Sequence, residues 1–106
     1  MLELLACAAI TWTDADSGRA CGERFRLVAQ SGPIDAPEIH CQQGRWCDDK
    51  LAIKARDYVR SLSGLKLYCE GVDRYERRLC RVTVNGRDLG DDLVRRGYAV
   101  IREDWR

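Results

Sequence analysis

The sequence predicts a mainly β, α+β fold: a small five-stranded Greek-key barrel with one helix between strands 3 and 4 and a short helix near the C-terminus. Short segments with strand-like alternation recur along the chain between turn signals, and one longer amphipathic segment interrupts them. The length of 106 residues and the apolar content of 45% suit one globular core. We therefore expect a single domain over residues 1–106.

The first two strands are expected to form a hairpin. Residues 5–13 alternate loosely, and β-branched and aromatic side chains collect toward the end of this segment. Residues 14–18 indicate a turn, after which residues 19–28 are predicted to pair back as the second strand. The sequence Ser-Gly-Pro at 31–33 then marks a break before the next segment.

The third strand is predicted to run out into a loop at Ile-Asp-Ala-Pro-Glu, residues 34–38. Pro37 fixes its own φ and pushes Ala36 toward an extended conformation. The segment therefore presents the carboxylates of Asp35 and Glu38 on a stiff backbone. Rigid acids of this kind suit the binding of a metal ion or a water molecule.

The long helix is predicted to follow Asp48 and to stop at Gly64. Asp48 and Asp49 lie at the positive end of the helix dipole, where acidic side chains are favourable. The apolar residues fall on one helical face: Leu51, Ala55, Tyr58, Val59 and Leu62. The basic residues are more typical of a solvated face than of a nucleic-acid groove: Lys50, Lys54, Arg56 and Arg60.

Two further strands and a short helix complete the predicted fold. Residues 65–70 alternate between apolar and polar side chains, as expected of a strand with one buried face. Residues 79–84 form another apolar segment, which ends in the turn dipeptide Asn-Gly at 85–86. Residues 91–96 are predicted to form a short helix that Gly97 stops.

The charge and the N-terminal segment exclude some classes of protein. A net charge of +1 argues against a protein that holds nucleic acid by bulk electrostatics alone, so any basic surface must be local. Residues 2–10 are apolar but too short for a transmembrane helix, are interrupted by Glu3, and have no basic flank of the signal-peptide kind. We expect no membrane span and a leader that has been removed.

Six cysteines in so small a domain favour disulfides and an exported location, periplasmic or secreted. A zinc site is the alternative, but no pair has Cys-x-x-Cys spacing and His40 is the only histidine. Buried free thiols are a third possibility. We predict three bridges, each between neighbours in the predicted strand order: Cys7 with Cys21, Cys41 with Cys47, and Cys69 with Cys80.

Five short motifs occur in one order along most of the chain, from about residue 9 to residue 101. They are Asp-Ala-Asp-Ser at 14–17, Arg-Leu at 26–27, Ile-Asp-Ala-Pro-Glu at 34–38, Asp-Arg-Tyr-Glu-Arg at 73–77 and Leu-Val-Arg-Arg-Gly at 93–97. Their order and rough spacing resemble the staphylococcal nuclease (thermonuclease-like) family. Any one motif would be weak evidence, but five in order make coincidence an unsatisfactory explanation.

The resemblance implies an OB-fold and a Ca²⁺-dependent nuclease that hydrolyses phosphodiester bonds of DNA and RNA with little sequence preference. Such a protein takes nucleic acid as its substrate, and we expect a monomer. The roles that the resemblance implies are as follows: Asp16, Asp35 and the Ala36 carbonyl as Ca²⁺ ligands, Glu38 as general base, Arg26 and Arg77 as the clamp on the phosphoryl oxygens, and Arg74 and Tyr75 as contacts to the neighbouring phosphate.

Three departures from the family pattern bear on activity. Ala15 stands where the family has glycine, which costs about 1 kcal/mol if the turn requires a positive φ. Four additional residues, from about Ala29 to Gly32, precede Asp35 and are expected to form a bulge. Glu76 replaces another glycine. These departures leave open a second hypothesis, a catalytically weak or inactive OB-fold module that binds single-stranded nucleic acid or a protein partner.

Overall fold

The computed structural model describes residues 3–5, 9–39, 41 and 46–105, and shows a mainly β protein in which two helices accompany an open sheet. The elements in chain order are β1 (Glu3–Leu5), β2 (Ile10–Asp14), β3 (Ser17–Ala20), β4 (Glu23–Ala29), β5 (Gly32–Asp35), α1 (Asp49–Ser61), β6 (Leu65–Val72), β7 (Arg78–Val84), β8 (Arg87–Asp88), α2 (Leu89–Arg95), β9 (Val100–Ile101) and a 3₁₀ helix (Glu103–Trp105). The α+β class predicted from the sequence agrees with this architecture.

The main sheet has the strand order β1-β6-β7-β4-β3-β2. All its neighbours are antiparallel except β4 and β7, which run parallel. β5 pairs with β4 on one side and with β9 on the other. In the parallel pair Arg26 lies opposite Leu79, which places Arg26 near the start of β7 and so near the loop that precedes it.

The described residues contain nine strand segments rather than the five expected, and the long helix follows the fifth of them. One reason is the turn at Cys21 and Gly22, whose φ angles of 53° and 77° break residues 19–28 into β3 and β4. A second reason is that the predicted first strand is divided between β1 and β2. β2 pairs with β3 as expected, whereas β1 pairs with β6.

The residues from Ala29 to Gly32 form a tight hairpin and not the expected bulge. β4 continues to Ala29, β5 begins at Gly32, and these two residues are paired. At the tip, the Gln30 backbone N–H donates to Asp88 Oδ2 at 3.1 Å and the Ser31 N–H donates to Asp91 Oδ1 at 3.3 Å. The hairpin tip is therefore held by the first turn of α2.

The core lies between the sheet and the two helices. The edge of the Phe25 ring meets Trp12 at a centroid distance of 5.2 Å, a favourable aromatic geometry. α1 begins at Asp48, whose Oδ1 accepts the Leu51 N–H at 3.1 Å, as an N-cap should. The largest fully buried side chains include Phe25, Leu27, Ile34, Leu67, Leu89, Leu93, Val59 and Val82.

Asp92 on α2 joins the two helices. This buried carboxylate accepts hydrogen bonds from the Tyr58 hydroxyl on α1 and from the guanidinium groups of Arg95 and Arg96. Burial raises its pKa, but the hydrogen bonds from Tyr58 and Arg96 outweigh that effect and hold the pKa below its usual value. α2 itself begins two residues earlier than residues 91–96, because Asp88 caps it.

Two of the predicted cysteine pairs are bonded in the structure. Cys41 and Cys47 have Cα atoms 5.5 Å apart, and Cys69 lies directly opposite Cys80 in the β6–β7 pair, at 4.0 Å. Cys21 is also disulfide-bonded, but its predicted partner Cys7 lies outside the described residues, so that pairing stays a prediction.

Among the helices of the described chain, none has the length and apolar character needed to cross a membrane.

Candidate functional site

A cavity of about 1100 Å³ opens where β4, β5 and β7 meet the loop of residues 73–77 and the chain after β9. Five of the eight predicted site residues line it: Arg26, Asp35, Arg74, Tyr75 and Arg77. The remaining walls are largely apolar, formed by Val28, Pro33, Trp46, Leu79 and Val100. A cavity that combines apolar walls with converging charged groups is typical of a ligand site.

Asp16 lies behind this cavity, in the turn between β2 and β3. It is only 3% exposed, and its Oδ2 accepts the Ala36 N–H at 2.9 Å and lies 3.6 Å from Arg26 Nη2. Burial raises the pKa of Asp16 to about 6, opposed by Arg26 and the Ala36 N–H and reinforced by the charges of Asp14 and Asp35. Burial is the largest cause of this shift, and the positive charge of Arg26 offsets it only in part.

Asp35 ends β5 and points toward an arginine from the far end of the chain. Arg102 donates to Asp35 Oδ2 from both Nε, at 3.2 Å, and Nη2, at 2.9 Å. The pairing of β5 with β9 sets this contact, because Asp35 lies opposite Val100 and the Arg102 N–H donates to the Pro33 carbonyl at 2.9 Å.

The segment after Asp35 is fixed by its backbone. Ala36 and Pro37 are buried, while Glu38 is half-buried. The Glu38 N–H donates to the Trp46 carbonyl at 3.1 Å, and the next N–H donates to Asp14 Oδ1 at 3.0 Å. Together with the Asp16 contact to Ala36, three hydrogen bonds hold this loop, which agrees with the rigidity that Pro37 suggests.

The oxygen atoms of Asp16, Asp35 and Ala36 suit Ca²⁺, because they are hard ligands. A cation would also offset the cost of burying the Asp16 carboxylate. The charge of Asp35 is close enough to raise the pKa of Asp16. Within the residues that the structure describes, no three or more His, Cys, Asp or Glu side chains are grouped to hold a metal. A metal here would therefore depend on the Ala36 carbonyl and on water for its remaining ligands.

Arg26 reaches the cavity from β4. Its Nη2 donates to the Ile34 carbonyl at 2.7 Å, and the side chain is 14% exposed. Arg26 is thus held against the backbone of β5, next to Asp35. The bulge expected before Asp35 does not displace it, since the additional residues extend away as a hairpin.

The loop of residues 73–77 is organised by Asp73. Its Oδ1 accepts the backbone N–H groups of Tyr75 and Arg77, both at 2.9 Å, and its Oδ2 accepts Arg77 Nε at 2.7 Å. Burial raises the pKa of Asp73, but these hydrogen bonds and the Arg77 charge outweigh it and leave the pKa below its usual value. The guanidinium groups of Arg74 and Arg77 lie over the exposed Tyr75 ring, 5.1 and 5.4 Å from its centroid.

The two departures from glycine behave differently. Glu76 has a φ of 63°, in the left-handed region where glycine is favoured, so the replacement strains this loop. Ala15 is buried and is not among the residues with positive φ, so the turn before Asp16 does not require glycine. The cost expected from Ala15 therefore does not arise, because its backbone does not adopt a positive φ.

Trp46, Asp73 and Arg102 are among the cavity residues to which sequence reasoning gave no role. Asp73 could have been found, since an Asp four residues before an Arg in a tight loop is placed to accept both its backbone and side-chain N–H groups. Trp46 had only the neighbouring Cys47 to suggest a fixed position. Arg102 gave no signal, because its contact arises from pairing between β5 and the two-residue strand β9.

Comparison with known proteins matches one family. The family model described as staphylococcal nuclease homologue matches residues 24–106. No curated protein matches the chain. The matched range includes Arg26, Asp35, Glu38 and Arg77, and begins after Asp16.

Proposed function

Since this chain belongs to the family of staphylococcal nuclease homologues, we propose that it hydrolyses phosphodiester bonds of DNA and RNA in a Ca²⁺-dependent reaction. The observation that carries the proposal is the convergence of Arg26, Arg77 and Asp35 on one cavity. Groups of this kind recognise phosphate and metal rather than base edges, so little sequence preference is expected.

Asp16, Asp35 and the Ala36 carbonyl are the proposed metal ligands. When bound, Ca²⁺ supplies positive charge beside the phosphoryl oxygens, which gain negative charge during the reaction. The protein contributes a fixed donor set, because the Ala36 N–H is bonded to Asp16 and Asp35 lies on the paired strand β5.

Glu38 is the proposed general base, taking a proton from the attacking water. It is half-buried on a segment whose backbone is held on both sides, so its carboxylate starts from a defined position. A base must lie within hydrogen-bond reach of the proton it removes, and a rigid support makes that geometry reproducible.

Arg26 and Arg77 are the proposed clamp on the phosphoryl oxygens, and Arg74 and Tyr75 the contacts to the neighbouring phosphate. A guanidinium fork matches two phosphoryl oxygens better than an ammonium group does. Arg77 is now engaged by Asp73 and Arg26 by the Ile34 carbonyl. Because a guanidinium carries five N–H donors, these contacts still allow each arginine to donate to a substrate.

The test is release of acid-soluble nucleotides from single-stranded DNA, measured with Ca²⁺ and with EDTA. We expect activity that requires Ca²⁺ and that falls by on the order of 10²-fold or more in Glu38→Gln. Glu70→Gln is the matched control, because Glu70 is exposed on β6 and does not line the cavity. Activity that survives chelation would refute the mechanism, and full activity of Glu38→Gln would refute the role of Glu38.

The second candidate is a binding module of the same family without turnover, which recruits single-stranded nucleic acid or a protein partner. The internal pairs of Asp35 with Arg102 and of Asp73 with Arg77 favour it, because charged groups needed for catalysis already have partners. Calorimetry separates the two candidates. No heat of Ca²⁺ binding, even with a nucleotide present, would favour the module.

For the fold, we propose that the sheet is an OB-fold Greek-key barrel. β1 and β2 are the two ends of the strand order, yet they follow one another in the chain. The parallel pair of β4 and β7 supports the same topology.

For the location, we propose that the protein is an exported monomer. Two disulfides whose cysteines both lie among the described residues, together with a bonded Cys21, are consistent with an oxidising, extracellular environment. Titration of the native protein with a thiol reagent is expected to detect no free thiol. Six free thiols would contradict both the pairing and the location.

A further inference from the structure

We propose that Arg102 is an internal counterion that competes with Ca²⁺ for Asp35 and so sets the metal affinity of the site. The proposal rests on the calcium site put forward above. Two donors of one guanidinium, Nε at 3.2 Å and Nη2 at 2.9 Å, converge on Oδ2 of Asp35. A metal ligated through that oxygen and this guanidinium cannot share the same position, because both are cations at contact distance.

The backbone holds Arg102 in place for this contact. β9 is antiparallel to β5, with Ile34 opposite Ile101 and Asp35 opposite Val100. The Arg102 N–H donates to the Pro33 carbonyl at 2.9 Å, so the pairing continues past the last strand residue. The guanidinium is therefore delivered to Asp35 by strand register and is not an incidental surface contact.

The exposure of the side chains identifies Arg102 as the cation that can move. The Arg102 side chain is 39% exposed, whereas Asp35 is 15% exposed. Arg26, the other cation at the site, is 14% exposed and also donates to the Ile34 carbonyl. Because Arg102 is the more exposed of these two cations, displacing it into the open cavity is the less costly route for an incoming metal ion.

Displacement would also change what the cavity presents to a substrate. Arg102 lines the same cavity as Arg26, Arg74 and Arg77. After it leaves Asp35, the guanidinium would still lie on the wall where a phosphate would bind. Ca²⁺ binding would thus break the ion pair of Asp35 with Arg102. The Arg102 guanidinium, which suits a phosphodiester, would then face the cavity.

Calorimetric titration of Ca²⁺ into the wild type and Arg102→Gln tests the competition. We expect the variant to bind Ca²⁺ about twofold to fivefold more tightly, as removal of a partly exposed competing ion pair implies. Arg95→Gln is the matched control, since Arg95 is an ion-paired arginine on α2 that does not line the cavity. Arg102→Lys, which keeps a cation and loses the fork, is expected to lie between wild type and Arg102→Gln.

A second readout follows Arg102 itself. The Nε–H resonance of Arg102, assigned by its loss in Arg102→Gln, is expected to shift during a Ca²⁺ titration and to saturate at the calorimetric Kd. Equal Kd values for wild type and Arg102→Gln, with Ca²⁺-dependent hydrolysis retained, would overturn this proposal and leave the proposed function standing. If Arg95→Gln increased the Ca²⁺ affinity as much as Arg102→Gln does, the change in net charge would explain the increase. That result would also overturn the proposal. No Ca²⁺ binding by any variant would overturn both.

Discussion

Replacing Asp16 by Asn is expected to stabilise the protein at neutral and alkaline pH. The Asp16 carboxylate is buried, and its pKa is raised from 3.8 to about 6. The folded protein therefore binds this proton more tightly than the unfolded chain does. Between these two pKa values stability falls as the pH rises, and above about pH 6 the full cost of the buried charge is present.

The size of the effect follows from the shift. A difference of about 2 pKa units corresponds to about 3 kcal/mol in the free energy of unfolding. Asn keeps an oxygen for the Ala36 N–H, and the loss of the 3.6 Å pairing with Arg26 is already contained in this net shift, because Arg26 lowers the pKa of Asp16. We therefore expect Asp16→Asn to raise the free energy of unfolding by roughly 2–3 kcal/mol at pH 8.

The assay is urea unfolding of both proteins at pH 8 and pH 4, in EDTA so that metal binding does not contribute. The difference should largely disappear at pH 4, where Asp16 is protonated in the folded state. Asp57→Asn is the control, because Asp57 is exposed on α1 and its charge should matter little. A variant that is no more stable than wild type at pH 8 would refute the conclusion that burial dominates at Asp16.

Three other substitutions test the surroundings of the cavity. Gly90→Ala would place a Cβ 2.6 Å from the Ala29 backbone and is expected to lower the free energy of unfolding by about 1–3 kcal/mol in urea; an unchanged value would contradict the close contact of α2 with β4. Glu76→Gly removes the strain of a non-glycine residue with a positive φ, and it is expected to raise the free energy of unfolding by about 0.5–1 kcal/mol. Destabilisation would contradict strain in that loop. Asp73→Asn is expected to lower the rate of nucleotide release about tenfold, because Arg77 loses its charged partner; an unaltered rate would show that Asp73 does not position Arg77.

Sequence patterns predicted the elements whose signals are local. α1 was predicted because its cap at Asp48 and its apolar spacing lie within one segment. The pairing of Cys69 with Cys80 followed from adjacent strands joined by one loop. Five of the candidate site residues meet at one cavity because strand ends and a hairpin loop carry them there.

The remaining features depend on partners that are distant in sequence. Arg102 and Asp35 are 67 residues apart, and β9, which brings them together, has too few residues to show any periodicity. The division of the early strands depends on a positive φ at Cys21, a residue type that carries no turn signal. The role of Asp88 and Asp91 in holding the β4–β5 hairpin likewise follows only from tertiary packing.

The attachment of that hairpin to α2 has a consequence for engineering. Asp88 Oδ2 accepts both the Gln30 N–H and the Asp91 N–H, so one carboxylate serves the hairpin tip and the first turn of the helix. Deleting the four residues from Ala29 to Gly32 to restore the usual family spacing would remove the backbone N–H groups that Asp88 and Asp91 accept. A graft of the shorter segment from a relative would therefore also need a redesigned start of α2, because the insertion and the helix form one structural module.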